Sequence, residues 1–339
     1  MIEAVWEGLA GLSVLVTGAS GFIGSVLCAA LVRVGADVHA TSRTPLVQPG
    51  VPWHGCDLAD LEATRQLFRR VRPQVVLHLA SHVAGTRTPD AVLPTFHNNL
   101  TSTMNVLLVA REMGCQRVVL TGSCDEPEPS DDWSVPCSPY AAAKHAAGAY
   151  GRMFHALYDL PVTTLRVFMV YGPGQRHTTK VVPYVITSFL KGEAPRLSSG
   201  TREVDWVYVD DVVDAFACAA TAPDLAGATV DVGSGSLVTL REVVEHIHEL
   251  MRPGATPHFG GLTDRPMEQS RVADVEATVR RMGWRPQVTL LDGLSRTVAW
   301  YQAKMLDPFE THREAPSPST SSGPQLEPFT ARTIAWQSP

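Results

Sequence analysis

The chain is expected to fold as an α/β protein: a doubly wound parallel sheet with helices on both faces and a smaller, interleaved substrate domain in its C-terminal half. Short β-branched apolar runs alternate with helix-like stretches over residues 12–170, the pattern that builds parallel sheets through crossover helices. A glycine-rich turn separates the first such run from the first helix. With 339 residues, 45% of them hydrophobic, the chain is long enough to bury the core that such a fold needs.

Ser13-Val14-Leu15-Val16-Thr17 reads as a strand buried on both faces. A helix follows over 23–34, ended by Gly35, and 36–41 reads as the second strand, completing one βαβ unit. The alternation continues with a helix at 61–70, a strand at 75–79, a long helix from about 94 to 113 and a strand at 117–121. A helix at 140–158 and a strand at 162–168 extend it. Beyond Tyr171 the rhythm loosens: Gly172-Pro173-Gly174 is a turn, 181–191 a helix, 202–209 a strand and 211–221 a helix. Residues 1–171 and about 205–235 are therefore assigned to the doubly wound domain, and 172–204 with about 236–305 to the smaller substrate domain. From 306 to 339 the periodicity is lost in a Pro- and Ser-rich stretch, expected to be a disordered tail.

Charge and cysteine content narrow the function. Lys and Arg number 28 against 34 Asp and Glu, and no basic block appears, so neither nucleic acid nor a membrane surface is an expected partner. No apolar run reaches the length of a membrane span. The six cysteines form no C-x-x-C pair and residues 1–11 lack a signal-peptide pattern, which points to a cytoplasmic protein with reduced thiols and no metal site.

Three constellations carry chemistry. Gly18, Gly21 and Gly24, with Ser20, Phe22 and Ile23 between them, have G-x-x-G-x-x-G spacing directly after a strand and open a helix. Such glycines let the backbone approach a pyrophosphate that rests on the free N–H groups of the helix N-terminus, the Rossmann arrangement. At the end of the second strand, where an NAD site usually places a carboxylate for the ribose 2′-OH, this chain has Ser42 and Arg43. An arginine there suits a 2′-phosphate, so NADP(H) is expected over NAD(H). Tyr140 and Lys144, four residues apart on one helix face, form a phenol–ammonium pair in which the cation lowers the phenol pKa from about 10.

These glycines, with Asp57-Leu58, Leu77-His78-Leu79-Ala80, Asn98-Asn99, Ser123 and the Tyr140/Lys144 pair, resemble the extended short-chain dehydrogenase/reductase family of nucleotide-sugar epimerases, dehydratases and reductases. Later segments at 166–174, 204–211, 273–275 and 283–286 carry the same likeness. The resemblance implies that Tyr140 is the acid/base, that Lys144 holds the nicotinamide ribose and that Ser123 orients the reacting oxygen. Asn99 would support the active-site helix and its relay. It further implies adenine contact by Asp57 beside Leu58, a diphosphate and ribose wall of Leu79, Ala80 and Ser81, and Phe168 beside the nicotinamide. A homodimer built on two helices is usual in such proteins.

Departures from the family pattern guide the choice of reaction. The Asp-Glu pair that performs water elimination in 4,6-dehydratases is displaced, because Ser123 is followed by Cys124-Asp125; a shift of one restores Asp125-Glu126 and puts Cys124 in the hydroxyl position. Met169 stands where 4-epimerases often carry asparagine, and Val204 where the family has an arginine. Residues 283–298 resemble 4-ketoreductases that finish deoxysugars. The expected activity is NADPH-dependent reduction of a keto group, at C4, on a nucleotide-linked (dTDP-type) 6-deoxyhexose. An epimerase or 4,6-dehydratase with tightly held NAD is the alternative, and a non-catalytic dinucleotide-binding protein a third. For the substrate, Arg176, Lys180, Arg202 and Arg265 are the candidate cations for the diphosphate, and His82 faces the sugar.

Overall fold

The computed structural model describes residues 2–43, 50–83, 86–127, 135–267 and 269–305; the tail expected at 306–339 lies outside the described residues. The chain begins with α1 (Ile2–Glu7), then β1 (Ser13–Thr17), α2 (Phe22–Arg33), β2 (Asp37–Ser42), β3 (Trp53–Gly55), α3 (Leu61–Val71) and β4 (Val75–His78). Next come α4 (Val92–Thr95), a π-helical turn (Phe96–Thr101), α5 (Ser102–Glu112), β5 (Arg117–Ser123), α6 (Pro139–Tyr158), β6 (Val162–Val167) and β7 (Met169–Tyr171). The rest is α7 (Val181–Leu190), β8 (Glu203–Tyr208), α8 (Val209–Thr221), β9 (Thr229–Val232), β10 (Leu237–Thr239), α9 (Leu240–Met251), α10 (Val275–Met282) and α11 (Leu290–Met305).

Seven strands form one parallel sheet in the order β3-β2-β1-β4-β5-β6-β9. Its central strands are buried on both faces, as β4 is at all four residues, which explains their unbroken apolar text. On one face Leu27 and Leu31 of α2 pack with Phe216 of α8; on the other Phe68 of α3, Val106 of α5 and Phe154 of α6 fill a second core. The sheet is thus doubly wound, and the strand order reverses between β1 and β4, where ligands bind at the carboxyl ends of such sheets. Local signals start the helices: Asp60 accepts from the Ala63 N–H at 3.0 Å ahead of α3, and Ser138 from Ala141 at 3.1 Å ahead of Pro139 at the start of α6.

Three differences from the sequence-based expectation have physical causes. The single helix expected over 94–113 is interrupted by the π turn, where the Ser102 hydroxyl bonds the Asn98 carbonyl at 2.6 Å and the Asn98 amide bonds the Pro94 carbonyl at 2.7 Å. Side chains that compete for helix carbonyls favour such local rewinding. The strand expected over 162–168 divides: Phe168 N–H still bonds Val232 of β9, whereas the next residue, Met169, pairs with Trp206 of β8. The smaller sheet, β10-β8-β7, therefore takes in 169–171 and 203–208, so the division drawn at 171 and 205 falls inside it. Its core joins Tyr171, Trp206 and Tyr208 to Phe189 of α7, Ile247 of α9 and Leu294 of α11. Among the described residues no helix is long and apolar enough to cross a membrane.

Candidate active site

A cavity of about 560 Å³ runs along the carboxyl ends of β1, β2, β4, β5 and β6, within the size range of small-molecule sites. The glycine loop, after β1, lines it between the β2–β3 side and the β4–β6 side. Gly18 has φ +67°, and a Cβ there would stand 2.6 Å from the Ala80 nitrogen, so only glycine admits both the turn and the approach of the 79–80 backbone. At Gly24 a Cβ would collide with the Gly18 carbonyl, which lets α2 start tight against the loop. Ser20, Gly21, Phe22 and Ile23 complete this wall.

Ser42 and Arg43 line the cavity at the end of β2, and an Arg43 guanidinium N–H donates to Asn98 Oδ1 at 3.1 Å. Asp57, Leu58, Leu79, Ala80, Ser81 and Phe168 also line it, so every residue expected to hold cofactor meets in one space. The fit to a dinucleotide rests on two features of the chain. One is the Gly18 cradle that a Cβ would fill; the other is the Ser81 hydroxyl, buried without a hydrogen-bond partner in the cavity wall, as a group awaiting a ligand would be.

Ser123, Tyr140 and Lys144 stand together on the β5 side of the cavity. β5 delivers Ser123 and the first turn and a half of α6 delivers the other two. Lys144 Nζ donates to the Thr121 carbonyl at 2.8 Å and lies 5.7 Å from the Tyr140 ring centre. Burial pushes the Lys144 ammonium down to about 8, against the pull of the Glu126 charge. Tyr140 differs from the expectation of a phenol lowered by its lysine: burial and then the Asp125 charge push it above the ordinary tyrosine value, with a Ser123 hydrogen bond opposing them. The resting phenol is therefore a proton donor.

Asp125 and Glu126, adjacent in sequence, part company in space. Asp125 lines the cavity, with its backbone N–H on Ser123 Oγ at 3.2 Å. Glu126 is buried beneath it, and its Oε1 accepts the Ser123 N–H at 2.7 Å. A Cβ on Gly122 would lie 2.6 Å from that oxygen, so Gly122 makes room for the carboxylate.

Asn99 is buried behind the wall, not in it, and its amide grips the backbone of His82: Oδ1 accepts from His82 N–H at 2.6 Å and Nδ2 donates to His82 O at 3.2 Å. It acts through the 82 loop, so its place is that of a positioning residue. His82 and Lys180 line the cavity. Burial lowers the Lys180 ammonium, with Asp125 opposing and Arg265 assisting. Arg176 and Arg265 are exposed and outside the lining. Arg202 is also outside it, 3.8 Å from Asp125 in an ion pair that ties β8 to the loop after β5. Asp125, Gln175 and His177 line the cavity as well, although the sequence reading assigned no site role to any of the three. For Asp125 the signal was the displaced Asp-Glu pair; Gln175 and His177 lie on the 175–180 loop, which the sequence offers for the diphosphate through its cations Arg176 and Lys180.

Among the described residues no group of three or more His, Cys, Asp or Glu side chains is placed to hold a metal ion. The NAD dependent epimerase/dehydratase family model matches residues 14–233. The chain is 32% identical over 318 residues to UDP-glucose 4-epimerase of Mycolicibacterium smegmatis, covering 86% of this chain and 98% of that protein. It is 27% identical to dTDP-glucose 4,6-dehydratase of Haemophilus influenzae, over 86% and 98% of the two chains. A crystal structure of Thermus thermophilus UDP-glucose 4-epimerase in complex with NAD superposes with a TM-score of 0.74 at 29% identity, covering 85% of this chain and 98% of that one. With that span of match and the site just described, the chain belongs to the NAD dependent epimerase/dehydratase family.

Proposed function

We propose that the protein interconverts hydroxyl and keto states at C4 of a nucleotide-linked hexose and that the net outcome is 4-epimerisation on retained NAD. The observation that carries this is the meeting of Ser123, Tyr140 and Lys144 on the β5 side of a cavity that the Gly18 loop also lines. The identity of 32% to a UDP-glucose 4-epimerase supports it. Bound NAD supplies a hydride acceptor and donor at the sugar carbon. Tyr140 gives its proton to O4 when the ketone is reduced and takes one when the alcohol is oxidised, Ser123 orients that oxygen, and the Lys144 charge favours the phenolate that oxidation requires. Glu126 argues against dehydration: its carboxylate is spent on the Ser123 backbone, away from the cavity, so only Asp125 of the Asp-Glu pair faces a substrate.

The second reading is net NADPH-dependent reduction of a 4-keto-6-deoxyhexose carried on dTDP. Arg43 favours it, since it lines the cavity at the end of β2 where a 2′-phosphate would stand, and Met169 replaces the asparagine of many epimerases. Both readings place the protein in the cytoplasm as a homodimer. In support of the dimer, Leu93 of α4 is 66% exposed and Phe96 47%, with Leu108 of α5 and Leu157 of α6 also exposed, an apolar surface typical of association.

One experiment separates the readings: release and identification of bound cofactor, followed by incubation with UDP-glucose and, separately, with a dTDP-4-keto-6-deoxyhexose plus NADPH. NAD retained through desalting with conversion of UDP-glucose to UDP-galactose supports epimerisation. Loose binding that favours NADPH by about tenfold, roughly 1.4 kcal/mol, with consumption of the keto sugar, supports reduction. Sedimentation as a monomer at micromolar concentration would count against the dimer.

A further inference from the structure

We infer that His78 is fixed as its neutral Nε2–H tautomer and serves as a positioning residue, joining the cofactor loop to the turn that carries Asn99. His78 ends β4, is 2% exposed and lies outside the cavity lining. Its ring bridges two hydroxyls: Thr17 Oγ1 stands 2.8 Å from Nδ1 and Thr103 Oγ1 3.1 Å from Nε2.

The neighbours settle the proton positions. Thr103 Oγ1 lies 2.6 Å from the Asn99 carbonyl, to which a hydroxyl can only donate. Having one proton, it must accept from His78, so Nε2 carries the hydrogen. In the neutral ring Nδ1 is then an acceptor, and Thr17 donates to it while its oxygen accepts the Ala80 N–H at 3.1 Å. Every proton along the line is used once. An imidazolium would leave the Thr17 hydroxyl facing a second donor, and burial together with the Lys144 charge holds the ring down to about 3.

The line has consequences at both ends. Ala80 forms the backbone that Gly18 approaches, and Asn99 clamps His82 in the cavity wall. Through its carbonyl His78 also receives Thr121 Oγ1 at 2.8 Å, and Thr121 in turn holds Lys144 through its own carbonyl. The tautomer stands on geometry alone; its effect on turnover rests on the C4 oxidoreduction proposed above.

The test begins with ¹⁵N NMR of the imidazole in the full-length protein. A pyrrole-type Nε2 and a pyridine-type Nδ1, unchanged from about pH 6 to about pH 8 around the ordinary histidine value, are expected. The opposite tautomer, or titration in that range, overturns the inference whether or not any variant folds. H78N keeps an acceptor near Nδ1 and loses the reach to Thr103; H78Q keeps a donor near Nε2 and loses the acceptor for Thr17. H78N is expected to lower kcat by about tenfold or more, with NAD and NADPH affinity near wild type. H78Q is expected to weaken dinucleotide binding more than it lowers kcat. Two variants that differ from wild type only in thermal stability would overturn the positioning role. If no sugar nucleotide is turned over at all, the functional reading fails, while the spectrum and the dinucleotide affinities of H78Q still decide the role of His78.

Discussion

At Tyr140 the balance of forces sets the direction of proton flow. Burial and the Asp125 charge keep the phenol protonated, so Y140F should remove more than about 99% of turnover, the span that general acid catalysis provides, while dinucleotide affinity by fluorescence titration stays within about threefold of wild type. Near-normal turnover in Y140F would refute the assignment. Lys144 works under the opposite stress: burial depresses its ammonium to about 8. Its charge is present below that pH and lost above it, so kcat should decline along a limb centred near pH 8, whereas an unperturbed lysine would hold activity to about pH 10. The two side chains were legible in the sequence because four-residue spacing fixes them on one helix face. Their electrostatics were not, because Asp125 and Glu126 reach them through the fold of the 123–127 loop, which no spacing rule describes.

Among the elements, a single buried carboxylate decides how the smaller sheet meets the larger one. Asp205 of β8 is 1% exposed and accepts from Ser234 N–H at 2.6 Å, Ser234 Oγ at 2.8 Å, Gly235 N–H at 3.0 Å and Ala273 N–H at 2.9 Å. It gathers the loop after β9 and the approach to α10 onto one strand. Removing it leaves the buried Ala273 N–H and the part-buried Ser234 and Gly235 donors without their acceptor, at about 1–3 kcal/mol for a donor left dry, so D205A should cost about 2 kcal/mol or more by urea denaturation. D292A, which breaks the exposed pair with Arg296 on α11, should cost about 0.5 kcal/mol or less. Comparable losses in the two variants would show that Asp205 does not join the sheets. This junction also marks the limit of sequence reading: five strands of the large sheet, β1, β2, β4, β5 and β6, announce themselves by an apolar run, whereas the three-residue edge strand β3 does not. β7, β9 and β10, with three or four residues each, are too short to carry one, and they exist because Asp205 and the Tyr171–Trp206–Tyr208 cluster hold them.

Over the whole molecule, thiols spread through the sheet cores make folding stability sensitive to alkali. Burial raises Cys28, Cys115, Cys124 and Cys218 to about 12 and Cys56 to about 11, from an ordinary value of 9.0. Below pH 9 these groups are protonated whether the chain is folded or not, and their burial is free of charge cost. Between pH 9 and about 11 the unfolded chain releases protons that the folded chain keeps, so the contribution present below pH 9 is progressively lost as pH rises. Lys144 has the opposite sign: from about 8 to 10.5 the folded chain is the one with fewer protons, and its contribution to stability grows. Each group that titrates in one state alone changes stability by about 1.4 kcal/mol per pH unit, and the thiols outnumber the lysine. Urea midpoints in the presence of reductant should therefore fall steeply between about pH 9 and about pH 10.5, after little change between about pH 7 and about pH 8. C28A and C218A, in the core between the sheet and the α2–α8 layer, should flatten that fall even where cavity formation lowers stability at neutral pH. A midpoint that holds constant to about pH 10.5 would mean that the unfolded chain does not ionise these thiols ahead of the folded one, and that burial is not what sets their protonation.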